Sequence, residues 1–403
     1  MQHARVKVVG NGHSCSPVAA SNGALAISLA RMDTPVSVDR TNKRISVPAG
    51  MKLRDFVALA AQNGLALFNL GAIVEQTVAG AIATGTHGSG LGFGGLAELT
   101  TDFDYVSGSG EVHTASRRRN PERWAALAVS LGSLGVLTRI TFACESVFNL
   151  RLEQTPALLD ETLERLDEHN RARHFGFWWF PRTNRVVLRL FTKTDRPAEA
   201  ASSMREWMRN VVVRNQIYQL LLLGASVAGI VPVGMANDLM FRVAFGDACT
   251  QTGHSSNVVS SKIQIPQHVM EFALPYENAA AAVRALRHLI ARESFPTHAP
   301  VDIRFSGPDM AWLGLSHGRR SCYIGVVVYQ PFRQRVDSGG YFRAVDRLMR
   351  DFDGRPHWGK IHFHDARDLV ARYSKFDAFR QVREELDPHR VFANDYLDQT
   401  LGK

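Results

Sequence analysis

Cysteine is scarce in this 403-residue chain: Cys15, Cys144, Cys249 and Cys322 are the only four, and no two form a C-x-x-C pair or a metal-ligand spacing. Neither a disulfide framework nor a cysteine zinc site is expected, which leaves free thiols. Histidine offers no better metal signal, because His362 and His364 alternate like strand neighbours and no third ligand accompanies them. The G-x-G-x-x-G fingerprint with a ribose-binding acid is missing after the first apolar segment, which disfavours a nicotinamide site. Internal repeats and low-complexity tracts are absent. Acidic residues are outnumbered, 38 against 47 basic ones, for a formal charge of +9. The basic residues are spread along the chain without a nucleic-acid motif, so nucleic acid is not expected as a partner. The charge reads instead as attraction for cofactor phosphates or an anionic membrane surface. With 45% hydrophobic and 21% charged residues the chain is ordinary for a folded protein, and its length leaves room for two domains.

Met1-Gln2-His3-Ala4-Arg5 runs straight into an apolar strand at Val6 to Val9, with no leader pattern between them. One stretch lacks charge altogether. From Asn215 to Asn237 no charged residue occurs, and Leu220 to Leu223 head a run approaching the ~18–20 residues that span a bilayer. Gly224, Gly229, Pro232 and Gly234 interrupt it. Before it, Arg205, Arg209 and Arg214 flank Trp207, Met208 and Val211 to Val213, a basic amphipathic pattern able to lie on an anionic surface. Two readings stand: a buried helical pair, or peripheral membrane contact through 205–236. Localisation is correspondingly open between cytoplasm and membrane surface.

What is present begins with Val8-Val9-Gly10-Asn11-Gly12-His13-Ser14, a short apolar strand running into a glycine turn that presents a histidine. Gly10 and Gly12 tolerate positive φ and leave room for a ligand, so that amide N–H groups can converge on a phosphate. Alone this would be a tight surface turn. Downstream lies Thr77-Val78-Ala79-Gly80-Ala81-Ile82-Ala83-Thr84-Gly85-Thr86-His87-Gly88-Ser89-Gly90. Val78 to Ala83 fits a helix-packing segment; the Thr-Gly-Thr-His-Gly-Ser-Gly that follows does not. Thr84, Thr86 and Ser89 offer hydroxyls to phosphate oxygens. Near the C-terminus comes His357-Trp358-Gly359-Lys360.

Periodicity predicts a strand at Arg44 to Pro48, an amphipathic helix over Leu53 to Asn63 and a strand over Leu134 to Phe142. Helical patterns follow at Leu158 to Ala172 and from Glu199, with strands at Phe175 to Pro181 and Arg185 to Phe191 between them. A helix over Glu277 to Glu293 precedes strands at Val301 to Phe305 and Cys322 to Gln330, and the tail from Tyr341 is helical around the His-Trp-Gly-Lys loop. That order suits an antiparallel sheet covered by helices. On the strand at 301–305 the period of two places Asp302 and Arg304 on one face and Val301, Ile303 and Phe305 on the other.

The glycine turn, the Thr77 to Gly90 run and the His-Trp-Gly-Lys loop are collinear with Gly132-Ser133-Leu134-Gly135-Val136-Leu137-Thr138, Asp302-Ile303-Arg304 and Leu386-Asp387-Pro388…Val391-Phe392-Ala393-Asn394-Asp395-Tyr396-Leu397. Over essentially its whole length the chain resembles the sugar-1,4-lactone oxidases of the L-gulonolactone oxidase type, within the vanillyl-alcohol-oxidase superfamily of flavoproteins. The resemblance implies an α+β, two-domain fold: an FAD-binding domain over 1–145, a cap over 146–343 and a segment, 344–403, returning to the flavin domain. It also implies a further strand and helix ahead of the glycine turn, so the first lobe of the flavin domain is expected to be incomplete here.

The same resemblance implies FAD bonded covalently through His13, with Gly10, Asn11, Gly12 and Ser14 around it. Ala79, Gly80, Thr84, Gly85, Thr86, His87, Gly88 and Ser89 would follow the cofactor, and Gly135 and Val136 would close over its adenosine end. Arg304 would stabilise the anionic reduced flavin, Asp302 would hydrogen-bond substrate hydroxyls, and Lys360 would favour developing negative charge, His357 supporting its loop. Where the family has Glu-x-Arg this chain has Asp302, one methylene shorter. Implied chemistry is FAD-dependent oxidation of an aldono-1,4-lactone at C2, giving ascorbate or an analogue, with O2 as acceptor and hydrogen peroxide as product. An alditol oxidase, a lactone dehydrogenase with another acceptor, and a non-catalytic flavin-binding or membrane-associated remnant are the alternatives. Animal gulonolactone oxidases are membrane-associated and carry a comparable apolar stretch.

Overall fold

Alternating strands and amphipathic helices build the computed structural model, which describes residues 5–199, 218–226, 231–259, 265–295 and 297–403. β1 (Val6–Val9) pairs in parallel with β2 (Leu25–Ser28). β3 (Ser37–Asp39), β4 (Arg44–Pro48), β6 (Thr100–Val106), β7 (Val112–Ser116) and β8 (Val136–Ala143) form an antiparallel sheet in the order β3-β4-β8-β6-β7, while β5 (Leu65–Ala66) pairs with β9 (Glu145–Ser146). The helix Leu53–Gln62 buries Leu53, Phe56 and Ala60, the stripe that a 3.6-residue period puts on one side. Thr77 caps the short helix Val78–Ala83, its side chain accepting from Gly80 N at 3.2 Å.

The larger sheet contains β10 (Asn149–Leu158), β11 (His174–Phe180), β12 (Arg185–Thr194), β13 (Cys249–His254), β14 (Gln267–Pro275), β15 (Val301–Ser306), β16 (Ser321–Tyr329) and β17 (Arg355–Pro356). Their order is β13-β10-β12-β11-β15-β16-β14-β17, antiparallel throughout. Phe175, Phe177, Met270, Phe272, Val301, Ile303, Phe305, Ile324 and Val326 share one face and join a core with Val283, Leu286 and Ile290 of the helix Ala279–Arg292 and Phe342, Val345 and Met349 of the helix Gly339–Asp351. Asp302 and Arg304 lie on the opposite face, as their alternation requires.

Several features differ from the sequence pattern, among them strands β2, β3, β6 and β7 and the helix Pro121–Ala128, which it did not single out. The helix expected over Leu158 to Ala172 is two pieces, Leu159–Glu164 and Leu166–His169, because Arg165 leaves helical geometry (φ −111, ψ 23). Strands β10, β13 and β14 were hidden, the first two by polar side chains on both faces and β14 by the charged Glu271 in an apolar run. The C-terminal segment does not simply return to the first sheets, since β17 first adds an edge strand to the larger one.

After β17 the tail packs back. Trp358, Tyr373, Phe379 and Leu397 share a core with Phe103, Trp124 and Leu127 of the first region. Asn394 caps the helix Asp395–Leu401 through Leu397 N (2.9 Å) and donates to Val18 O (3.1 Å) and Ala20 O (2.9 Å). Val6 N donates to Val391 O at 2.8 Å, so the closing motif pins β1.

The uncharged run contains the helix Tyr218–Ser226 and the start of a second, Val233–Phe245, which continues past it through Asp238 and Arg242. No helix among the described residues is long and apolar enough to cross a membrane. The remainder of 205–236, positions 205–217 and 227–230, lies outside the described residues, as does the helix expected from Glu199 beyond its first residue. All four cysteines are free thiols.

The loop after β15 clamps the two regions together, Trp312 N donating to Ala125 O at 2.9 Å. Within it Asp309 is buried, accepting from Ser316 Oγ at 2.8 Å while its Oδ1 has no hydrogen-bond partner among the described residues. Burial, with Glu98 nearby, pushes this carboxyl up to about 7, against Ser316 and Arg355. The folded state therefore holds this proton more tightly than the unfolded chain. Its stability contribution is complete at acid pH and is lost as pH rises from the ordinary carboxylate range through about 7. Asp309→Asn should escape that loss, a gain on the order of a few kcal/mol at neutral pH. Melting temperatures from about pH 5 to about pH 8 check this: the variant should gain on wild type as pH rises, whereas parallel curves would contradict it.

Candidate active site

The glycine turn after β1 is open to solvent, and the backbone N–H groups of residues 10–14 donate to no acceptor among the described residues. Asn11 anchors the turn by donating to Glu75 O at 2.7 Å. A Cβ at Gly10 would stand 2.7 Å from Thr77 Oγ1, and Gly12 has φ +70, so both positions call for glycine. His13 is exposed at the tip. Beyond it the chain dives beneath the C-terminal loop, Cys15 N donating to Gly359 O (2.8 Å) and Ser16 Oγ to Trp358 O (2.6 Å).

The small-residue run lies alongside. Ala79 N donates to Ala49 O, and the Thr84 hydroxyl donates back to Gly80 O at 2.9 Å. Gly85 is left-handed (φ +77), and the Thr86 hydroxyl accepts from Gln76 Nε2 at 3.1 Å. Gly88 presses on Asn69, whose side chain accepts from Ser89 N at 3.3 Å. Gly90 N donates to Phe305 O (2.7 Å), which joins the run to β15. At the other end Leu131 N donates to Ala83 O (3.0 Å), bringing up the turn that contains Gly135 (φ +146) and Val136, the first residue of β8.

Facing this cradle is the polar side of the larger sheet. Arg304 and Asp302 form an ion pair and are each about one-fifth exposed. Burial works to lower the Arg304 guanidinium, but Asp302 and Glu271 outweigh it and hold the group above its ordinary range. On β14, Glu271 accepts from His87 Nε2 at 3.3 Å, and the His87 ring stacks on Tyr323 at 3.5 Å. The other ring nitrogen of His87 is 3.0 Å from Gly88 O. His357 accepts from Gly359 N at 3.0 Å through Nδ1, and burial pushes it down to about 3, Glu271 opposing the shift and Lys360 adding to it. Burial alone would raise the Glu271 carboxyl; His87, His357 and Lys360 together bring it below the ordinary carboxylate range.

The sequence-predicted residues thus fall into two groups. Residues 10–14, 79–89 and 357–360 meet at one seam, with Asp302, Arg304 and Lys360 on its sheet side. Gly135 and Val136 stand at the far end of the run. Glu271 went unnoticed, although a lone acid in an otherwise apolar stretch, Val269-Met270-Glu271-Phe272-Ala273-Leu274, is itself a signal, because charges are rarely buried unless paired or used. Ligand atoms of His87, Glu271 and His357 lie within 4.8 Å of one another, yet the Lys360 ammonium acts on the same carboxylate and opposes a divalent cation there. His362 and His364 sit in a loop; His362 bonds Tyr396 OH at 2.7 Å and His364 is buried 3.7 Å from Asp346. The row of undonated amides beside an exposed histidine fits the diphosphate and flavin ring of FAD.

Comparison with known proteins agrees. A family model described as D-arabinono-1,4-lactone oxidase matches residues 140–400, and one described as FAD binding domain matches residues 1–116. The L-gulonolactone oxidase of Scyliorhinus torazame is 33% identical over 98% of this chain and 90% of its own length, and that of Mus musculus 32% identical over 99% and 90%. The L-gulono-1,4-lactone dehydrogenase of Mycobacterium tuberculosis is 33% identical over 99% and 90%. Among solved structures, a cholesterol oxidase from B. sterolicum superposes with a TM-score of 0.80 at 17% identity, covering 99% of this chain and 90% of that one, a likeness of fold.

The seam itself is testable. A methyl group at Gly359 would stand 3.2 Å from Ser14 Oγ and 3.4 Å from both His357 Cε1 and Thr84 Oγ1, tighter than ordinary packing. Gly359→Ala is expected to part the loop from the glycine turn and lower, several-fold, the fraction of purified protein carrying FAD, at unchanged far-ultraviolet dichroism. FAD content equal to wild type would show that the seam does not shape the cofactor site.

Proposed function

Because the chain belongs to the D-arabinono-1,4-lactone oxidase family, with the α+β two-domain fold of vanillyl-alcohol-oxidase-type flavoproteins and FAD-dependent oxidation of a sugar lactone as its activity, we propose where on the chain that reaction takes place. The site is the seam between the glycine turn and the polar face of the larger sheet. Residues 1–145 with the returning 344–403 hold the cofactor, and 146–343 cover it. The observation that supports it is that segments around His13, Thr84 to His87 and His357 to Lys360, far apart in sequence, come together against Glu271, on the sheet face that also carries Arg304.

FAD supplies the two-electron acceptor, and in this reading it is bonded covalently to His13. The lactone loses hydrogen from C2 and its hydroxyl, giving a 2-keto lactone that enolises to ascorbate or an analogue. Arg304 and Lys360 supply fixed positive charge where negative charge develops, and Asp302 accepts from a substrate hydroxyl. O2 is assigned as acceptor after the names of the vertebrate relatives. The equally similar dehydrogenase favours, as a second reading, an acceptor other than O2.

Two experiments test this reading. Flavin fluorescence should stay with the protein band on a denaturing gel, and His13→Ala should abolish it; flavin that washes out of acid-precipitated wild type would rule out the covalent bond. Arg304→Ala should keep FAD yet slow anaerobic reduction by lactone about 10²–10³-fold, the usual loss for one preorganised charge partner. Lys360→Met should act in the same direction more mildly, and Asp302→Ala mainly on substrate affinity. Stopped-flow flavin absorbance reads all three, and an Arg304→Ala protein reduced at the wild-type rate would remove that residue from the mechanism.

A further inference from the structure

Three glycines, Gly176, Gly253 and Gly325, lie on the face of the larger sheet that carries Asp302 and Arg304, and strand interiors are poor places for glycine unless something else needs the room. At Gly253 a Cβ would stand 3.1 Å from Val258 Cγ2, tighter than ordinary packing. Gly176 has a packing reason: a Cβ there would stand 2.8 Å from Ile303 O and 3.4 Å from Arg304 Cγ. Gly325 has none. Its φ is outside the left-handed region, and an added methyl would meet Asp302 O and Glu271 Oε1 at 3.5 Å and Asp302 Cβ at 3.8 Å, ordinary contact. A strand that runs Ser321, Cys322, Tyr323, Ile324 before it and Val326, Val327, Val328, Tyr329 after it forgoes a side chain here without steric need.

Register gives the gap its neighbours. Gly325 is paired with Glu271 on β14 and with Asp302 on β15, so the three stand in one row across adjacent strands. At ~4.8 Å per strand the two acids are based roughly 10 Å apart with only a hydrogen between them, enough to straddle a five-membered lactone and its hydroxyls. Tyr323, two residues earlier on the same face, is already covered by the His87 ring. Glu271 is held ready: His87 fixes Oε1, and His87 is itself fixed by Gly88 O and by stacking on Tyr323. The second Glu271 oxygen accepts no hydrogen bond among the described residues, whereas Asp302 Oδ2 is engaged by Arg304.

We propose that Gly325 is the floor of the lactone subsite and that Glu271, across it from Asp302, is a second recognition carboxylate, taking a hydroxyl of the neutral polyhydroxylated substrate. This rests on the lactone-oxidising site assigned above. His87, whose ring orients Glu271, is a positioning residue in this scheme. A hydroxyl bonded to a fixed carboxylate contributes to ground and transition states alike, so its loss raises the half-saturating substrate concentration and leaves the limiting rate nearly unchanged.

The test is anaerobic reduction of the FAD-loaded enzyme across a range of L-gulono-1,4-lactone concentrations, for wild type, Glu271→Gln and Gly325→Ala. Both variants should raise half-saturation about 10- to 100-fold, the usual loss for a hydrogen bond to a charged group, with limiting rates within about threefold of wild type. Because its methyl fits, Gly325→Ala should keep the wild-type melting temperature and FAD content, and it decides the matter should Glu271→Gln not fold. Unchanged half-saturation in a folded Gly325→Ala protein overturns the subsite. A fall in limiting rate alone for Glu271→Gln overturns recognition as its role. A wild type that carries FAD but is reduced by no aldono-1,4-lactone overturns the lactone site itself, and this inference with it.

Discussion

One contact between distant parts of the chain organises the rest: His87, in the small-residue run of the first region, bonded to Glu271 on β14 of the larger sheet. Both side chains are almost fully enclosed, and such a pair is costly to bury and adds little to stability on its own account. What it adds is position. Breaking one partner strands the other as a buried polar group, at about 3–5 kcal/mol, so the two regions can close only in the arrangement that satisfies both. That arrangement sets Tyr323 against the His87 ring, brings Lys360 to the Glu271 carboxylate and places Arg304 on the same face.

The two acids buried near this junction show how neighbours decide charge. Glu271 is as enclosed as Asp309, yet His87, His357 and Lys360 keep it ionised, so its contribution persists above the ordinary carboxylate range and is lost only in acid. Asp309 has Ser316 and a more distant Arg355 to set against burial and Glu98, and its carboxyl goes the other way. Two buried carboxyls therefore pull stability in opposite directions with pH, one held at the lactone site and one tolerated within the loop that locks the regions together.

Short-range features of the site were legible in the sequence. The period of two put Asp302 and Arg304 on one face, and the glycine turn was legible because Thr77 Oγ1 crowds any side chain at Gly10 and Gly12 is left-handed. Segments recognised only by resemblance acquired physical reasons: Asn394 is a helix cap that also ties the tail to Val18 and Ala20, and Asp387 accepts from Val391 N and Phe392 N. What stayed hidden depends on register between strands far apart in the chain. Nothing local says that Glu271, Gly325 and Asp302 are neighbours, because that row exists only once β14, β16 and β15 pair. Likewise β17 is two residues long and means nothing until β14 offers it an edge.

The charged sheet face is claimed to present a sugar lactone to the flavin. Its most direct test is anaerobic mixing of the FAD-loaded protein with L-gulono-1,4-lactone, followed by admission of O2, with the flavin absorbance band recorded throughout. The account predicts that the band bleaches on mixing with lactone and returns with oxygen as hydrogen peroxide appears. A band that stays unchanged with every aldono-1,4-lactone, in protein shown to be folded and fully loaded, would contradict it.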